Sequence, residues 1–306
     1  MSEANAPKHG LMNIGEEALP AFAVLPDPSS LFANRAARFR TLAADNALTA
    51  FLMFLAGVSQ AQHDIQRDLP PAVLPDAKEI GQALEHGMPP LPAAGLALED
   101  GATRAVEHLL RRIAGPDLPA PAAEALGKLL AASESTLRTI VAEALVTTPA
   151  PEDIAQRVLV QAGLQVHFAR LAVLLDADRL KRITDGVCPS CGSAPVSSTV
   201  VGWPKAHNTR FCTCSLCSTM WNVVRVKCAL CSSTEGINYQ TIDDGSPDTV
   251  KAETCRSCNR YLKILYQVKD PALEAVADDV ATLGLDMLLA NDGWQRGGTN
   301  PFLLGY

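Results

Sequence analysis

The chain has 306 residues, enough for two domains of ordinary size, and it is 48% hydrophobic, 19% charged and 5% aromatic. A chain of this composition can bury a hydrophobic core, which excludes global disorder. Its formal net charge of −7 at pH 7 argues against a general nucleic-acid-binding protein.

The apolar segments do not predict a membrane protein. The longest uninterrupted apolar run is LTAFLMFLAGV, at positions 48–58. It is too short to cross a bilayer, because a transmembrane helix needs about 20 residues. The N-terminus lacks the charged-then-apolar pattern of a secretory signal. We therefore expect a cytoplasmic protein without membrane insertion.

Alanine and leucine dominate the chain up to about residue 185, and prolines separate the segments with helical periodicity. The first 30 residues are rich in proline and are expected to be irregular. In the first helical segment, Phe32 and Phe39 mark one face and Arg35 and Arg38 mark another, which we expect to be exposed. The pattern predicts an all-helical bundle of about six helices. The expected helical stretches are Leu31–Leu69 (one helix, or two with a break at Asp45 and Asn46), Asp76–His86, Asp100–Ala114, Ala120–Ala132, Glu134–Val146 and Pro151–Leu175.

The composition changes near Asp185 and Gly186, where cysteine, serine, threonine and valine replace alanine and leucine. Four short runs are typical of strands: SSTVVGW, MWNVVRVKC, INYQTI and YLKILYQVK. A further helix is expected from Ala272 to about Ala290. The predicted fold class is α+β, with a helical N-terminal domain, two tandem metal modules and a C-terminal helix. The expected division is 1–185, 186–227, 228–270 and 271–306.

The nine cysteines all lie between Cys188 and Cys258. Because the cytosol keeps thiols reduced, clustered cysteines there bind metal more often than they form disulfides. Eight of the nine form four CxxC pairs, and two such pairs supply a tetrahedral set of four sulfurs. The CxxC pairs are Cys188/Cys191, Cys214/Cys217, Cys228/Cys231 and Cys255/Cys258.

The spacing of the pairs indicates an internal duplication. The first and second pairs are separated by 22 residues and the third and fourth by 23, whereas 10 residues separate the second from the third. We therefore predict two similar metal sites. The first is formed by Cys188, Cys191, Cys214 and Cys217, and the second by Cys228, Cys231, Cys255 and Cys258.

The spacing does not decide which metal is bound. Tetrahedral sulfur suits both zinc and a single iron, and from spacing alone zinc is the safer prediction. The CxxC turn favours a conformationally permissive residue after its second cysteine, a role that suits Gly192 and Asn259 better than Ser218 and Ser232. Because four thiolates leave no ligand position open, a Lewis-acid hydrolase is disfavoured.

Other residues carry weaker signals. Cys212 is interpreted as a spare, half-buried thiol, or alternatively as a reactive thiol or substitute ligand beside the first site. Asp243, Asp244 and Gly245 predict a turn. Trp203, Trp221 and Tyr261 are expected to pack around the modules. No nucleophile elbow, phosphate loop or GxGxxG motif is present, so we do not expect an enzyme.

Three cysteine segments, CPSCGSAPVSS, RFCTCSLCSTMWNVVRVKCALC and KAETCRSCNRYLKILYQVKD, resemble those of the formate dehydrogenase accessory protein family, FdhE. The resemblance extends to LFANRAARFRTLA and to ADDVATLGLDMLLANDGWQRGGTNPFLLG. It implies a cytoplasmic accessory protein that binds the catalytic subunit of formate dehydrogenase before export and is not itself a formate oxidase. It also implies that the eight paired cysteines hold two ions, with rubredoxin-like iron favoured over zinc. Cys212 departs from the apolar residue expected at its position.

Two alternative functions are weighed against the assembly factor. Two iron–tetrathiolate centres would suit an electron-transfer protein. A zinc-ribbon nucleic-acid binder is a weaker alternative, because residues 186–270 carry nine Lys or Arg against six Asp or Glu, without a dense basic stripe.

We expect two metal ions per chain, each held by four sulfurs at about 2.3 Å. Elemental analysis of the reduced protein after gentle purification should measure this ratio. One ion per chain, or none, would contradict the pairing of the CxxC motifs.

Overall fold

The structure, a computed structural model, describes residues 20–115, 118–242 and 248–305. Most of the proline-rich start and the turn expected at 243–245 lie outside these residues. Within the described ranges no helix is long and apolar enough to span a membrane. The helices are α1 (Pro28–Ala43), α2 (Thr49–Asp64), α3 (Ala77–Glu85), α4 (Ala93–Leu96), α5 (Asp100–Ile113), α6 (Ala120–Ala131), α7 (Glu134–Glu143), α8 (Ile154–Ala172), α9 (Ala277–Ala281) and α10 (Leu283–Asn291).

Side chains of Asp27 and Asn46 satisfy free backbone groups at the start of α1 and between α1 and α2. The carboxylate of Asp27 accepts the Ser29 N–H at 3.0 Å and caps α1, and Pro28 occupies the first turn. Asn46 separates α1 from α2, because its side chain accepts the Leu48 N–H at 2.9 Å. The expected helical stretches are confirmed, and the first of them is two helices. The short α4 lies between the stretches expected at Asp76–His86 and Asp100–Ala114, where no helix was predicted.

The strands form one eight-stranded sheet. Its order is β1-β4-β3-β2-β7-β6-β5, with β8 paired beside β7. The strands are β1 (Ala23–Val24), β2 (Pro195–Val200), β3 (Arg210–Cys214), β4 (Met220–Val223), β5 (Ile237–Gln240), β6 (Val250–Cys255), β7 (Arg260–Tyr266) and β8 (Gln295–Arg296).

The sheet joins parts of the chain that the sequence analysis assigns to separate domains. Strands β2 and β7 run parallel, with Ser198 opposite Ile264, and so make one sheet of the two cysteine-rich segments. Strand β1 pairs antiparallel with β4, placing Ala23 opposite Trp221. The helical character of the N-terminal region is confirmed, and this two-residue strand is the exception.

A buried ion pair crosses from the first cysteine-rich segment to the second. Arg210 on β3 is 1% exposed and donates to both carboxylate oxygens of Glu253 on β6, at 2.6 and 3.1 Å. Ser198, on the intervening β2, accepts from Arg210 at 2.9 and 3.0 Å. Tyr239 donates to Glu253 at 3.2 Å. Burial and the neighbouring carboxylate raise the pKa of Tyr239 to about 12.

The C-terminal helix differs from its predicted form. It begins at Ala277 and is divided at Thr282 into α9 and α10. The ammonium group of Lys263 explains the break, because it donates to the carbonyl oxygens of Asp279 at 2.7 Å and of Thr282 at 3.0 Å. Lys263 also pairs with Asp286 at 2.5 Å.

The prediction that Arg35 and Arg38 form an exposed face is wrong. The Arg35 side chain is fully buried, pairs with Glu274 at 3.1 Å and donates to Gln165 at 3.3 Å. Arg38 is 13% exposed and pairs with Asp278 at 2.7 Å. Arg35 attaches α1 to the segment before α9 and Arg38 attaches it to α9 itself, and the sequence pattern of α1 did not reveal these distant carboxylates.

We expect Arg210→Ala to lower the free energy of unfolding by about 3–5 kcal/mol, because it leaves the Glu253 carboxylate buried without its partner. Chemical denaturation would measure the change. The double variant Arg210→Met/Glu253→Leu should recover much of the loss.

Lys128→Ala is the matched control, since it breaks the exposed Lys128–Glu124 pair on α6. This control should leave the unfolding midpoint unchanged. Equal effects of Arg210→Ala and Lys128→Ala would contradict a structural role for the buried pair.

Candidate metal centres

Each cysteine set is built from the same order of elements. In the first segment, the pair Cys188/Cys191 precedes β2 and β3, and Cys214 ends β3 before the turn into β4. In the second segment, Cys228/Cys231 precedes β5 and β6, and Cys255 ends β6 before the turn into β7. The repeated order agrees with the duplication predicted from the spacing.

All four CxxC turns adopt the same backbone conformation. The residue after the second cysteine has a left-handed φ of 81° at Gly192, 60° at Ser218, 58° at Ser232 and 53° at Asn259. This conformation favours glycine and is tolerated by asparagine. The sequence predicted the requirement, and the two serines meet it despite their lower preference.

The first turn of each segment has matching backbone hydrogen bonds. Gly192 N–H donates to the Cys188 carbonyl at 3.0 Å, and Ser232 N–H donates to the Cys228 carbonyl at 2.9 Å. Backbone amides also point at sulfur, since Leu230 N–H donates to Cys228 Sγ at 3.4 Å. These bonds hold the turns in a shape that suits thiolate ligands.

Each set brings its four sulfurs within 4.8 Å of one another. In the first set Cys188 Sγ lies 3.6 Å from Cys217 Sγ, and Cys191 Sγ lies 3.4 Å from Cys214 Sγ. In the second set the Cys228–Cys258 distance is 4.0 Å and the Cys231–Cys255 distance is 3.7 Å. Sulfurs at about 2.3 Å from a tetrahedral ion are about 3.8 Å apart, so both sets fit zinc or a single iron.

The electrostatics of the sets point to a cation. Burial raises the pKa of the Cys188 and Cys214 thiols well above the ordinary value. Against the effect of burial, hydrogen bonds from the neighbouring thiols lower the pKa of Cys191. Burial opposes the charged form of these thiols, and a cation bound between them would favour it.

Cys212 belongs to neither set. It is fully buried in β3, and burial raises the pKa of its thiol to about 12, with Arg210 opposing and Glu253 adding to that effect. A protonated, inaccessible thiol is unreactive. The structure therefore favours the interpretation of Cys212 as a spare thiol, although it is more deeply buried than expected.

The aromatic residues singled out in the sequence have different environments. Trp221 and Tyr261 are buried, 4% and 3% exposed, and Tyr261 donates to Asp286 at 2.8 Å. Trp203 is half-buried, and its ring centroid lies 5.4 Å from that of Phe211. The sequence analysis did not identify Ser190 and Thr219, whose hydroxyl groups lie beside the first cysteine set. Their positions inside and just after CxxC pairs were the only available signal.

Fold and sites define a helical protein whose C-terminal sheet carries two four-cysteine sites. Family models for the FdhE N-terminal, central and C-terminal domains match residues 20–185, 187–225 and 226–303. An FdhE homolog from Rhizobium meliloti (strain 1021) is 41% identical over 286 residues, which cover 93% of this chain and 94% of the relative. FdhE from Salmonella choleraesuis (strain SC-B67) is 34% identical and covers 92% of this chain and 90% of its own.

The crystal structure of the FdhE protein from Pseudomonas aeruginosa has the same fold. Its TM-score to this chain is 0.83 at 30% sequence identity, and the match covers 93% of this chain and 99% of the crystallised one. The chain belongs to the FdhE family. The resemblance found in the sequence is confirmed, and membership supports a role as a formate dehydrogenase accessory protein.

We expect Ser232→Val to destabilise the second site, because a β-branched residue is poorly tolerated at a left-handed φ. The left-handed conformation costs about 1–2 kcal/mol for an ordinary residue, so Ser232→Gly should be neutral or stabilising. Chemical denaturation of the metal-loaded protein would compare the two variants with Ser232→Asn. Equal stability of Ser232→Val and Ser232→Gly would contradict a conformational requirement in this turn.

Proposed function

We propose that the protein is an assembly factor that binds the catalytic subunit of formate dehydrogenase in the cytoplasm before export. Membership of the FdhE family over most of the chain carries this proposal. The eight paired cysteines hold two metal ions in this proposal, and the metal modules shape part of the docking surface.

The segment between β4 and the third CxxC pair, at the junction of the two modules, supports a docking role for the metal modules. Val224 is 44% exposed and Val226 is 70% exposed, and Arg225 lies exposed between them. No ion pair involves Arg225 in the described ranges. Exposed apolar residues next to arginine are typical of protein interfaces.

Metal binding would control the shape of this surface. The third CxxC pair follows the segment directly, because Val226 is two residues before Cys228. Structural zinc sites in small modules contribute about 10–16 kcal/mol of binding energy, which is also folding energy. A module without its ion would therefore lose the conformation that presents Val224, Arg225 and Val226.

The buried residues limit which side chains can take part. Tryptophan and arginine often anchor interfaces, and the modules carry four such candidates, Trp203, Trp221, Arg225 and Arg260. Trp221 is buried, and Trp203 and Arg260 are half-buried. Arg225 alone of the four is exposed. Arg35 and Arg38 are excluded as surface anchors by their burial and their ion pairs.

The test is capture of the formate dehydrogenase catalytic subunit by the purified full-length protein. We expect Arg225→Glu/Val226→Ser to weaken capture by at least about 2 kcal/mol, or about 30-fold, because interface anchors contribute energies of that size. Cys228→Ser/Cys231→Ser should weaken capture as well. Metal content would be measured for each variant.

Arg104→Glu/Val146→Ser is the matched control, because both residues are exposed in the helical region. This control should capture the subunit as the wild type does. If Arg225→Glu/Val226→Ser also binds normally, the docking surface lies elsewhere. If the wild-type protein captures no subunit in either oxidation state, the assembly-factor proposal fails.

Electron transfer is the second candidate, and the partial exposure of Cys231 and Cys258 favours it. An iron–tetrathiolate centre near the surface can exchange electrons with a partner. Visible absorption that bleaches and returns reversibly on reduction and oxidation, together with an absence of subunit capture, would support this function. A colourless protein with two zinc ions would exclude it.

A further inference from the structure

The two cysteine sets differ in their exposure. In the first set Cys188, Cys191, Cys214 and Cys217 are each at most 1% exposed. In the second set Cys228 and Cys255 are buried, whereas Cys231 and Cys258 are partly exposed. The second set therefore lies nearer to the solvent than the first.

The helical region covers the first set. Leu91 N–H donates to the Ser190 carbonyl at 2.9 Å, and Ala93 N–H donates to the Cys191 carbonyl at 3.2 Å. On the other side, the Gln165 side chain of α8 donates to the Ser215 carbonyl at 2.7 Å. Both CxxC turns of the first site are thus hydrogen-bonded to helical-region residues.

The second set has no such cover. In residues 20–115, 118–242 and 248–305, no hydrogen bond joins the turns at 228–232 or 255–259 to the segment before residue 173. Their contacts are with the sheet and with the C-terminal segment, as when Asn259 donates to the Gly293 carbonyl at 3.4 Å. Opening the second site therefore breaks no hydrogen bond between these turns and the described part of the helical region.

Hydroxyl groups beside the sulfurs also favour tighter retention of an ion at the first site than at the second. Thr219 Oγ1 lies 3.2 Å from Cys217 Sγ and 3.0 Å from Ser190 Oγ, and Ser193 Oγ lies 3.4 Å from Cys191 Sγ. Such groups can donate to thiolates and hold them in place. In the second set the corresponding Ser233 hydroxyl bonds instead to Ser257, at 2.8 Å.

We propose that the two sites have different tasks: the first is a permanent link between the helices and the sheet, and the second is an exchangeable site. The second site would release its ion to a soft exogenous ligand, such as a small thiol or a chelator, while the rest of the protein stays folded. The proposal assumes that both sites bind metal, but it does not depend on the formate dehydrogenase subunit.

A cleft beside the first site provides a strict test of the difference in access between the two sites. A cleft of about 430 Å³ is bordered by Cys191 and Gly192, and it could admit a small ligand. Cys191 is nevertheless 1% exposed. If the cleft gave effective access, Cys191 would react before Cys231 or Cys258.

The experiment uses the full-length protein loaded with two zinc ions and an excess of the chromogenic chelator 4-(2-pyridylazo)resorcinol. We expect two release phases of one ion each, with rates that differ by about 10-fold or more, because hydrogen bonds around metal ligands change affinity by about 10–100-fold. Iodoacetamide added after the fast phase should alkylate Cys231 and Cys258 first, with helical circular dichroism unchanged. Peptide mass spectrometry would identify the modified cysteines.

Two variants assign the phases. Thr219→Val removes the hydroxyl beside Cys217 and should accelerate the slow phase only. Ser257→Ala, at the same position within its CxxC pair as Ser190, should change neither phase. If Thr219→Val fails to fold, alkylation of the wild-type protein still identifies the faster site.

Three results would overturn the proposal. They are release in a single phase, alkylation of Cys188 or Cys191 during the fast phase, and a slow phase unchanged in well-folded Thr219→Val. None of these results depends on capture of the formate dehydrogenase subunit, so they are distinguishable from a failure of the proposed function.

Discussion

Two sets of four cysteine sulfurs, each sulfur held 3.4–4.0 Å from a neighbour, are the constraint on which the C-terminal half of the molecule depends. Four buried thiolates repel one another, and burial itself opposes their charge. A divalent or trivalent cation would remove both penalties at once, and it would also fix the turns in which the cysteines lie. Three features of the fold are compatible with this convergence of the sulfurs. They are the left-handed residues after each pair, the strands that end at Cys214 and Cys255, and the hairpins that follow.

Buried ion pairs then join the two cysteine-rich segments into one structural unit. The Arg210–Glu253 pair spans the sheet between the two cysteine sites, with Ser198 beneath it on β2. Lys263 on β7 binds the carboxylates and carbonyls of α9 and α10. Arg35 attaches α1 to Glu274 and reaches Gln165, whose amide contacts the turn of the first cysteine site. Ion pairs of this kind contribute little net free energy when formed, but breaking one leaves a buried charge, so they specify a unique arrangement.

The sequence predicted the features that depend on local pattern. The helices follow from periodicity and proline positions, and the cysteine sets follow from spacing. Strands β3 and β6 were missed because RFCTC and VKAETC contain Arg210 and Glu253, charges that are compatible with a buried strand only because they neutralise each other. The burial of Arg35 and Arg38 was missed for the same reason, because the carboxylates that neutralise them lie more than 200 residues away. The difference in exposure between the cysteine sites was also hidden, because their spacings are nearly identical and their cover comes from distant segments.

The pairing of Arg35 with Glu274 has a consequence for how the chain is made. The two residues are 239 positions apart, so at about 5–20 residues per second Arg35 waits about 12–48 s for its partner to be synthesised. Phe39 waits still longer for Phe302, against which its ring packs at 6.2 Å. During that interval Arg35 can reach Gln165 but lacks the carboxylate that neutralises its charge in the folded protein. The helical region is synthesised first, but its packing is complete only after the C-terminal segment has been synthesised.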